Sequence, residues 1–300
     1  MISVVMPVRD GADYLGEAIG SVLTQTERAL ELIVVDDESG DGTPRVLEQV
    51  RDERLRIIRN DERRGIAGSL NRGLAIARGA YVARMDADDV ALPHRLRTQR
   101  EFLEAHPRIA LCGTHVRMFA GGWHRDVELE THPERMRCAL LLFNVVSHPT
   151  AMWRRDAFER HGLGYDETFE NSEDYDLWCR ASHCVGIGNV PEVLLRYRVH
   201  PAQAGNDRRV RMREGTRVRK AQLARLGAEL GEEEWKVHEA VGWADKQDCL
   251  SSPSALRWME TLLEANDWTR VYQPEILEAF LREQLNGAVD ERRRAKVPRG

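Results

Sequence analysis

The chain has 300 residues, 42% of them hydrophobic and 31% charged, with a net charge of −5. That length slightly exceeds the size at which one hydrophobic core stops growing, so one large domain with an appended piece, or two unequal domains, is expected. The apolar content excludes disorder over most of the chain, no apolar run approaches a bilayer span, and the acidic balance argues against a protein built to hold nucleic acid.

The opening Met1-Ile2-Ser3-Val4-Val5-Met6-Pro7 is too short and uncharged for a signal peptide and reads as a strand that begins at once. The strand Ile2–Val8 is followed by a helical pattern over Ala12–Thr24, with Leu15, Ile19, Val22 and Leu23 on one face. Leu30–Val35 is a second apolar strand. Thr43-Pro44 reads as a cap followed by proline, opening a helix to about Val50. Leu55–Arg59 is a third strand, Ile66–Ala77 a helix, and Ala80–Met85 a fourth strand. Pro93 opens a helix through Leu103, and Ile109–Cys112 is a fifth strand. This alternation implies an α/β fold with a mostly parallel central sheet and helices on both faces.

From Thr131 to His200 the pattern is less regular. After Pro201 the strands stop. Helices are expected over Arg208–Leu226, with Val210, Val218, Leu223 and Leu226 as a sparse apolar stripe, and over Glu232–Asp248, Ser254–Ala265 and Pro274–Asn286. The tail from Arg292 is basic. The five cysteines, Cys112, Cys138, Cys179, Cys184 and Cys249, are scattered with no CxxC pair, so neither a zinc knuckle nor a disulfide framework is indicated, and reduced thiols in a cytosolic protein are expected.

Ligands of parallel α/β sheets bind beyond the carboxyl ends of the strands. Two acidic clusters fall there. Asp36-Asp37-Glu38-Ser39-Gly40-Asp41-Gly42-Thr43 follows the second strand, where a carboxylate can accept from a base N–H or a ribose hydroxyl, or simply build a turn. Asp86-Ala87-Asp88-Asp89 follows the fourth, and three aspartates in four residues repel one another unless a cation is near. Hard divalent ions prefer such oxygen ligands. Ser172-Glu173-Asp174-Tyr175-Asp176-Leu177-Trp178 reads as a helix start with Ser172 as cap and Asp174 in the first turn, where the helix dipole favours an anion. This suits an anionic base and equally suits ordinary capping. His148 and His200 carry no signal of their own.

Together these segments resemble the family 2 glycosyltransferases of the GT-A fold. Val4-Val5-Met6-Pro7-Val8-Arg9-Asp10 is similar to their opening strand, Ser21-Val22-Leu23-Thr24-Gln25-Thr26 to a helix end, and Val34–Thr43 to a V-D-D-G-S-x-D-x-T segment. Gly65 and Asn71 match a further segment in part, Asp86-Ala87-Asp88-Asp89 matches D-x-D-D, and Glu173–Trp178 matches E-D-x-D-L-W. Glu38 departs from the pattern, standing where glycine is commoner. The resemblance covers about residues 2–205 and leaves the helical end uncovered.

The resemblance implies a GT-A domain over 1–205, with a nucleotide-binding half over about 1–115 and an acceptor-binding half over about 116–205, then a C-terminal helical region over 206–300. It implies that Pro7, Arg9, Asp37, Gly65 and Asp86 bind the nucleotide, with Asp37 accepting from uracil N3–H. Asp88 and Asp86, with His200, would hold Mg2+ or Mn2+ on the donor diphosphate, and Asp174 would be the general base of an inverting transfer. The implied partners are a nucleotide-sugar donor and a glycan or lipid-linked acceptor, and no nucleic acid. A cytoplasmic location, peripheral at the inner face of the membrane through the basic C-terminal region, and a homo-oligomer are both compatible with it.

Other classes fit less well. A sugar-phosphate nucleotidyltransferase needs a Gly-rich, Lys-bearing loop after strand one, and Pro7–Asp13 holds one glycine and no lysine. A phosphoacceptor or non-catalytic nucleotide-binding module would use Asp36-Asp37 but leaves Asp86, Asp88 and Asp174 idle. A processive synthase would carry a Q-x-x-R-W motif and membrane helices, which the sequence lacks. The acceptor pocket is expected in Phe119–Tyr165, where Trp123, Phe143, His148 and Trp153 could stack on a sugar or fill a core, core being the expected use.

Overall fold

A computed structural model describes residues 1–201, 203, 207–243 and 253–295, with side chains described to 286. The described chain forms two compact units, Met1–Thr131 with Val146–Arg211, and His132–Val145 with Met212–Gly300. The segment 132–145, which the sequence gives no reason to separate from its neighbours, thus belongs with the C-terminal helices.

In the first unit, β1 (Ile2–Val8), β2 (Leu30–Asp36), β3 (Leu55–Arg59) and β4 (Tyr81–Arg84) pair in parallel in the order β3-β2-β1-β4. Every residue of β1 and β2 is buried, as expected of central strands covered on both faces. The helices α1 (Ala12–Leu23), α2 (Thr43–Gln49), α3 (Gly65–Ile76) and α4 (Arg95–Ala105) connect them onward. Thr43 is not the cap of α2: Gly42 occupies that position, and the Thr43 hydroxyl instead accepts from the backbone N–H of Gly11 at 2.9 Å. Pro93 lies outside α4, its carbonyl accepting from Thr26 N–H at 2.8 Å.

Past β4 the sheet is mixed, running on through β8 (Met152–Arg154), β6 (Ile109–Ala120), β9 (Gly186–Arg198) and β5 (Val90–Ala91). β4–β8, β8–β6 and β5–β9 are antiparallel and β6–β9 is parallel. β6 runs far beyond Cys112, through two register shifts around Thr114–Val116, and then turns at Gly121-Gly122 into β7 (Trp123–Val127). A two-residue glycine turn closing on the Ala120–Trp123 pair is a standard hairpin connection. Two short helices, α6 (Arg155–Arg160) and α7 (Glu173–Ser182), complete this unit.

The second unit holds α5 (Pro133–Ala139), α9 (Glu232–Gly242), α10 (Pro253–Thr269), α11 (Pro274–Ala295) and most of α8 (Arg208–Leu226). Val218, Leu223 and Leu226 of the expected stripe are buried, and Glu214, Arg219 and Gln222 are buried among them. Arg219 is held by Glu239 at 3.0 Å and lies over the Trp243 ring at 4.6 Å. Trp258, fully buried, donates from Nε1 to His238 Nδ1 at 3.1 Å. The basic residues from Arg292 lie beyond the described side chains, and the end of the expected Glu232–Asp248 helix lies outside the described residues. No described helix is long and apolar enough to cross a membrane.

Two local features follow from the backbone. Glu31, 3% exposed on β2, accepts from Ser3 Oγ (2.7 Å), Arg78 N (2.8 Å), Arg78 Nη2 (2.9 Å) and Arg56 Nη1 (3.0 Å), tying the β1–β2 pair to the turn before β4. Burial opposes its ionisation, but these donors outweigh it and bring the carboxyl from 4.5 down to about 2. The loops after β1 and β2 are laced together as well, Asp10 N donating to Ser39 Oγ (3.0 Å) and Gly40 N to Asp10 Oδ1 (2.8 Å). In that turn Glu38 has φ +59°, the left-handed region that favours glycine, which is the physical sense of the family's glycine at this position.

The folded-state value of Glu31 lies below the unfolded one, so its contribution of about 3 kcal/mol is present above the unfolded value and lost as pH falls through the folded one. Urea unfolding at about pH 6 and about pH 3 will show Glu31→Gln destabilised mainly at the higher pH, with a flatter acid limb than the parent. Glu38→Gly relieves a left-handed side chain that costs about 1–2 kcal/mol and gives back part of it in chain entropy, so thermal unfolding will show a gain of about 0.5–1 kcal/mol.

Candidate active site

The site is built on the carboxyl ends of β1, β2 and β4. Pro7 is buried at the end of β1 opposite Val35. Strand alternation turns the backbone of Val5 and Pro7 toward β4, and that ladder ends at Val5–Arg84, so the missing N–H of proline costs no hydrogen bond. Arg9 is exposed in the following loop, 3.6 Å from Asp10.

Asp37 is buried just past β2, and its backbone N–H donates to Val8 O at 2.8 Å. Its Oδ1 accepts from Asn60 Nδ2 (2.6 Å) and Arg64 N (2.8 Å), and its Oδ2 from Gly65 N (2.9 Å). Three donors leave roughly one lone-pair direction on Oδ2 for a ligand. Gly65 has φ +71°, so glycine lets the chain turn its N–H onto Asp37 as α3 begins. The structure therefore brings Asp37 and Gly65 together directly.

Asp86, Asp88 and Asp89 follow β4, with one oxygen from each lying within 4.8 Å of the others. Buried Arg84 pairs with Asp86. Asp88 Oδ2 meets His200 Nε2 at 2.9 Å, so the structure joins two sequence candidates 112 residues apart. The register explains this juxtaposition. β5, directly after the aspartates, pairs with the end of β9, Val90 opposite Arg196, and carries the chain toward His200. Arg198 closes the arrangement: its N–H donates to Asp89 Oδ1 (2.8 Å), its Nε to Asp88 O (2.8 Å), and its Nη2 meets Glu17 Oε2 (2.5 Å). Its guanidinium lies 4.4 Å from the Tyr14 ring centroid, and the same ring packs against His200 at 4.9 Å.

Burial raises the Asp86 carboxyl, and burial with the charges of Asp86 and Asp88 raises Asp89 well above its ordinary value. Asp89 Oδ2 is buried with no hydrogen-bond partner. An orphaned, buried carboxylate oxygen beside two further carboxylates is the environment a divalent cation would complete, and an all-oxygen set with one imidazole nearby fits Mg2+ or Mn2+.

Asp174 lies in the first turn of α7, half-buried, as the sequence indicates. Ser172 occupies the cap position, but its hydroxyl makes no capping bond. Next to it Glu173 is buried, and burial followed by the negative charge of Asp174 pushes its carboxyl up to about 8. Arg84 and Asp86 act on Glu173 too, so the start of α7 shares one electrostatic environment with the end of β4. Sequence reasoning did not single out Arg84, Asn60, Glu173 or Arg198. Arg84 and Arg198 flank noticed motifs, but their partners come only from the sheet. Of the aromatic candidates, Trp153 is 2% exposed and stacks on Phe158, as core, whereas Trp123 is 50% exposed at the β6–β7 turn.

Comparison with known proteins accords with this layout. The family model for glycosyl transferase family 2 matches residues 3–162. The O-antigen biosynthesis glycosyltransferase WbnJ of Escherichia coli is 32% identical over 210 residues, 67% of this chain and 80% of its own. Among solved structures, S. aureus TarS 1-349 in complex with UDP-GlcNAc superposes with a TM-score of 0.66 at 18% identity, over 97% of this chain and 89% of that one. The mannosyltransferase PcManGT from Pyrobaculum calidifontis, in complex with GDP-Man and Mn2+, gives 0.58 at 20% identity, over 97% and 87%. The fold is thus of the GT-A type with added C-terminal helices, and with more than half of its length matched by the family model the chain belongs to glycosyl transferase family 2.

Proposed function

We propose that this glycosyltransferase moves one sugar from a nucleotide-diphosphate donor, a UDP-sugar, to a hydroxyl of a glycan or lipid-linked acceptor in polysaccharide assembly, with inversion at the anomeric carbon. The observation that carries the reading is the meeting of Asp86, Asp88, Asp89 and His200 at the end of β4, in one electrostatic environment with the start of α7 that bears Asp174. The O-antigen role of a relative and the nucleotide sugars held by two fold neighbours support the substrate class.

In this reading Pro7 and Arg9 flank the base, and the remaining acceptor direction on Asp37 faces an N–H of uracil. Asn60 and the N–H groups of Arg64 and Gly65 hold that carboxylate in advance, so little reorganisation is needed on binding. Asp86 lies toward the ribose, and Asp88, with Asp86 and His200, would hold the divalent ion. When bound, that ion supplies Lewis-acid stabilisation of the departing diphosphate. Asp174 takes the proton of the acceptor hydroxyl as it attacks. A single base opposite the leaving group gives one displacement, hence inversion.

The base is tested by Asp174→Asn, which keeps the shape and removes the proton acceptor. Single-turnover transfer will fall by about a hundred- to ten-thousandfold, equivalent to about 3–5 kcal/mol of transition-state stabilisation, while donor affinity holds within about twofold. Near-normal transfer would remove Asp174 as the base, and lost donor binding would make it a structural or metal-site residue.

A further inference from the structure

Beside the start of α7 sits a pair, His148 and Tyr165, to which the chemistry above gives no role. His148 opens the short 3-10 turn His148–Thr150 and is nearly buried, its side chain 10% exposed. Its Nε2 lies within hydrogen-bonding distance of the Tyr165 hydroxyl, at 2.9 Å, and its Nδ1 faces Oε1 of Glu173 at 3.5 Å, a close approach longer than an ordinary hydrogen bond. Trp178 stands edge-on to the imidazole at 6.0 Å. The imidazole is kept neutral, first by burial and then by the charge of Arg84, so one ring nitrogen donates and the other accepts. That is what a bridge between a phenol and a carboxyl needs.

Both ends of the bridge are anchored. The turn under His148 is closed by Thr150 N to Ser147 O (2.9 Å) and Ala151 N to His148 O (3.1 Å), and Gln99 Nε2 grips Thr150 O at 2.7 Å. Pro149 fixes its φ. It leads directly into β8, which pairs with β4. On the other side Tyr165 is held by its backbone to Asn71 of α3, N to Oδ1 at 3.1 Å and O from Nδ2 at 2.9 Å. α3 is the helix whose first residue grips Asp37. Glu173 ends the chain of contacts with Oε2 buried and without a partner, one residue before Asp174.

We propose that His148 is a positioning residue: bridging Tyr165 and Glu173, its imidazole fixes the first turn of α7 and so the direction of the Asp174 carboxylate. The inference rests on Asp174 being the base. It explains why a polar ring sits where an apolar one would pack, and it links the loop that holds the nucleotide carboxylate to the helix that carries the base. A misplacement of about 1 Å in a reacting group costs on the order of a hundredfold in rate, so such a bridge acts on kcat rather than on donor binding.

Two near-isosteres separate the two contacts. The amide nitrogen of glutamine falls near histidine Nε2 and that of asparagine near Nδ1. His148→Gln keeps the Tyr165 contact and loses Glu173, and His148→Asn does the reverse. For His148→Gln we expect kcat for transfer to fall about ten- to a hundredfold, with donor KM and nucleotide Kd within about twofold. His148→Asn will recover most of that loss. Tyr165→Phe, which removes only a hydroxyl, will lower kcat about three- to tenfold without moving donor KM, and keeps the question answerable if His148→Gln does not fold. Transfer by His148→Gln within twofold of the parent, equal losses in the two His148 variants, or a loss seated in donor binding would each overturn the proposal. Asp174→Asn is run in parallel. If it transfers normally, the assignment of the base fails. If it is inactive while His148→Gln is fully active, only the positioning role fails.

Discussion

Three carboxylates share a few ångströms at the end of β4, and the architecture of the first unit makes that crowding tolerable. Two like charges about 5 Å apart repel by about 3 kcal/mol at an effective dielectric near 20, and Asp86, Asp88 and Asp89 make three such pairs. The protein answers only part of that cost. Arg84 neutralises Asp86 from beneath, the N–H of Arg198 takes one oxygen of Asp89, and His200 meets Asp88. The second oxygen of Asp89 stays unanswered. A polar group left so inside a protein normally costs about 1–3 kcal/mol, and such a cost is retained where a ligand removes it.

The sheet serves that cluster. β1, β2 and β4 are parallel and central, so their carboxyl ends converge on one edge. The mixed half brings β9 back beside β5 in a register that delivers Arg198 and His200 to the same loop. α3 contributes through its N-terminus, where the backbone holds Asp37 in one direction. The second unit has its own ion pair, buried Arg219 with half-buried Glu239, and its own Trp258–His238 contact.

Much of this was legible in the residues. The parallel strands appeared as short apolar runs because both faces are buried, and β1 to β4 match those runs within a residue or two. Asp86 and Asp88 stood out because three aspartates crowd one strand end, whereas Asp37 and Asp174, whose positions equally suit a turn and a helix cap, were marked only by the family motifs that contain them. β6 and β9 were harder. Polar Gly113-Thr114-His115 interrupts β6, and its register shifts break the alternation that marks a strand. The pairing of His200 with Asp88 depends on a strand register between distant segments, which no local pattern reports. Glu38 carried more information than its sequence context gave it, because a glycine preference has meaning only once the left-handed φ is seen. The roles of Arg84, Glu173 and His148 were invisible for a simpler reason: a buried polar side chain looks like a surface one until its neighbours are known.

In the proposed reading the carboxylates after β4 form a cation site completed together with a bound nucleotide. Calorimetric titration of UDP into the protein, with and without Mn2+, for the parent and for Asp88→Ala tests it most directly. On that reading Mn2+ strengthens UDP binding to the parent and this gain disappears in Asp88→Ala, while metal-free UDP binding is the same in both. Equal UDP affinity with and without Mn2+ in the parent, or an undiminished gain in Asp88→Ala, would contradict it.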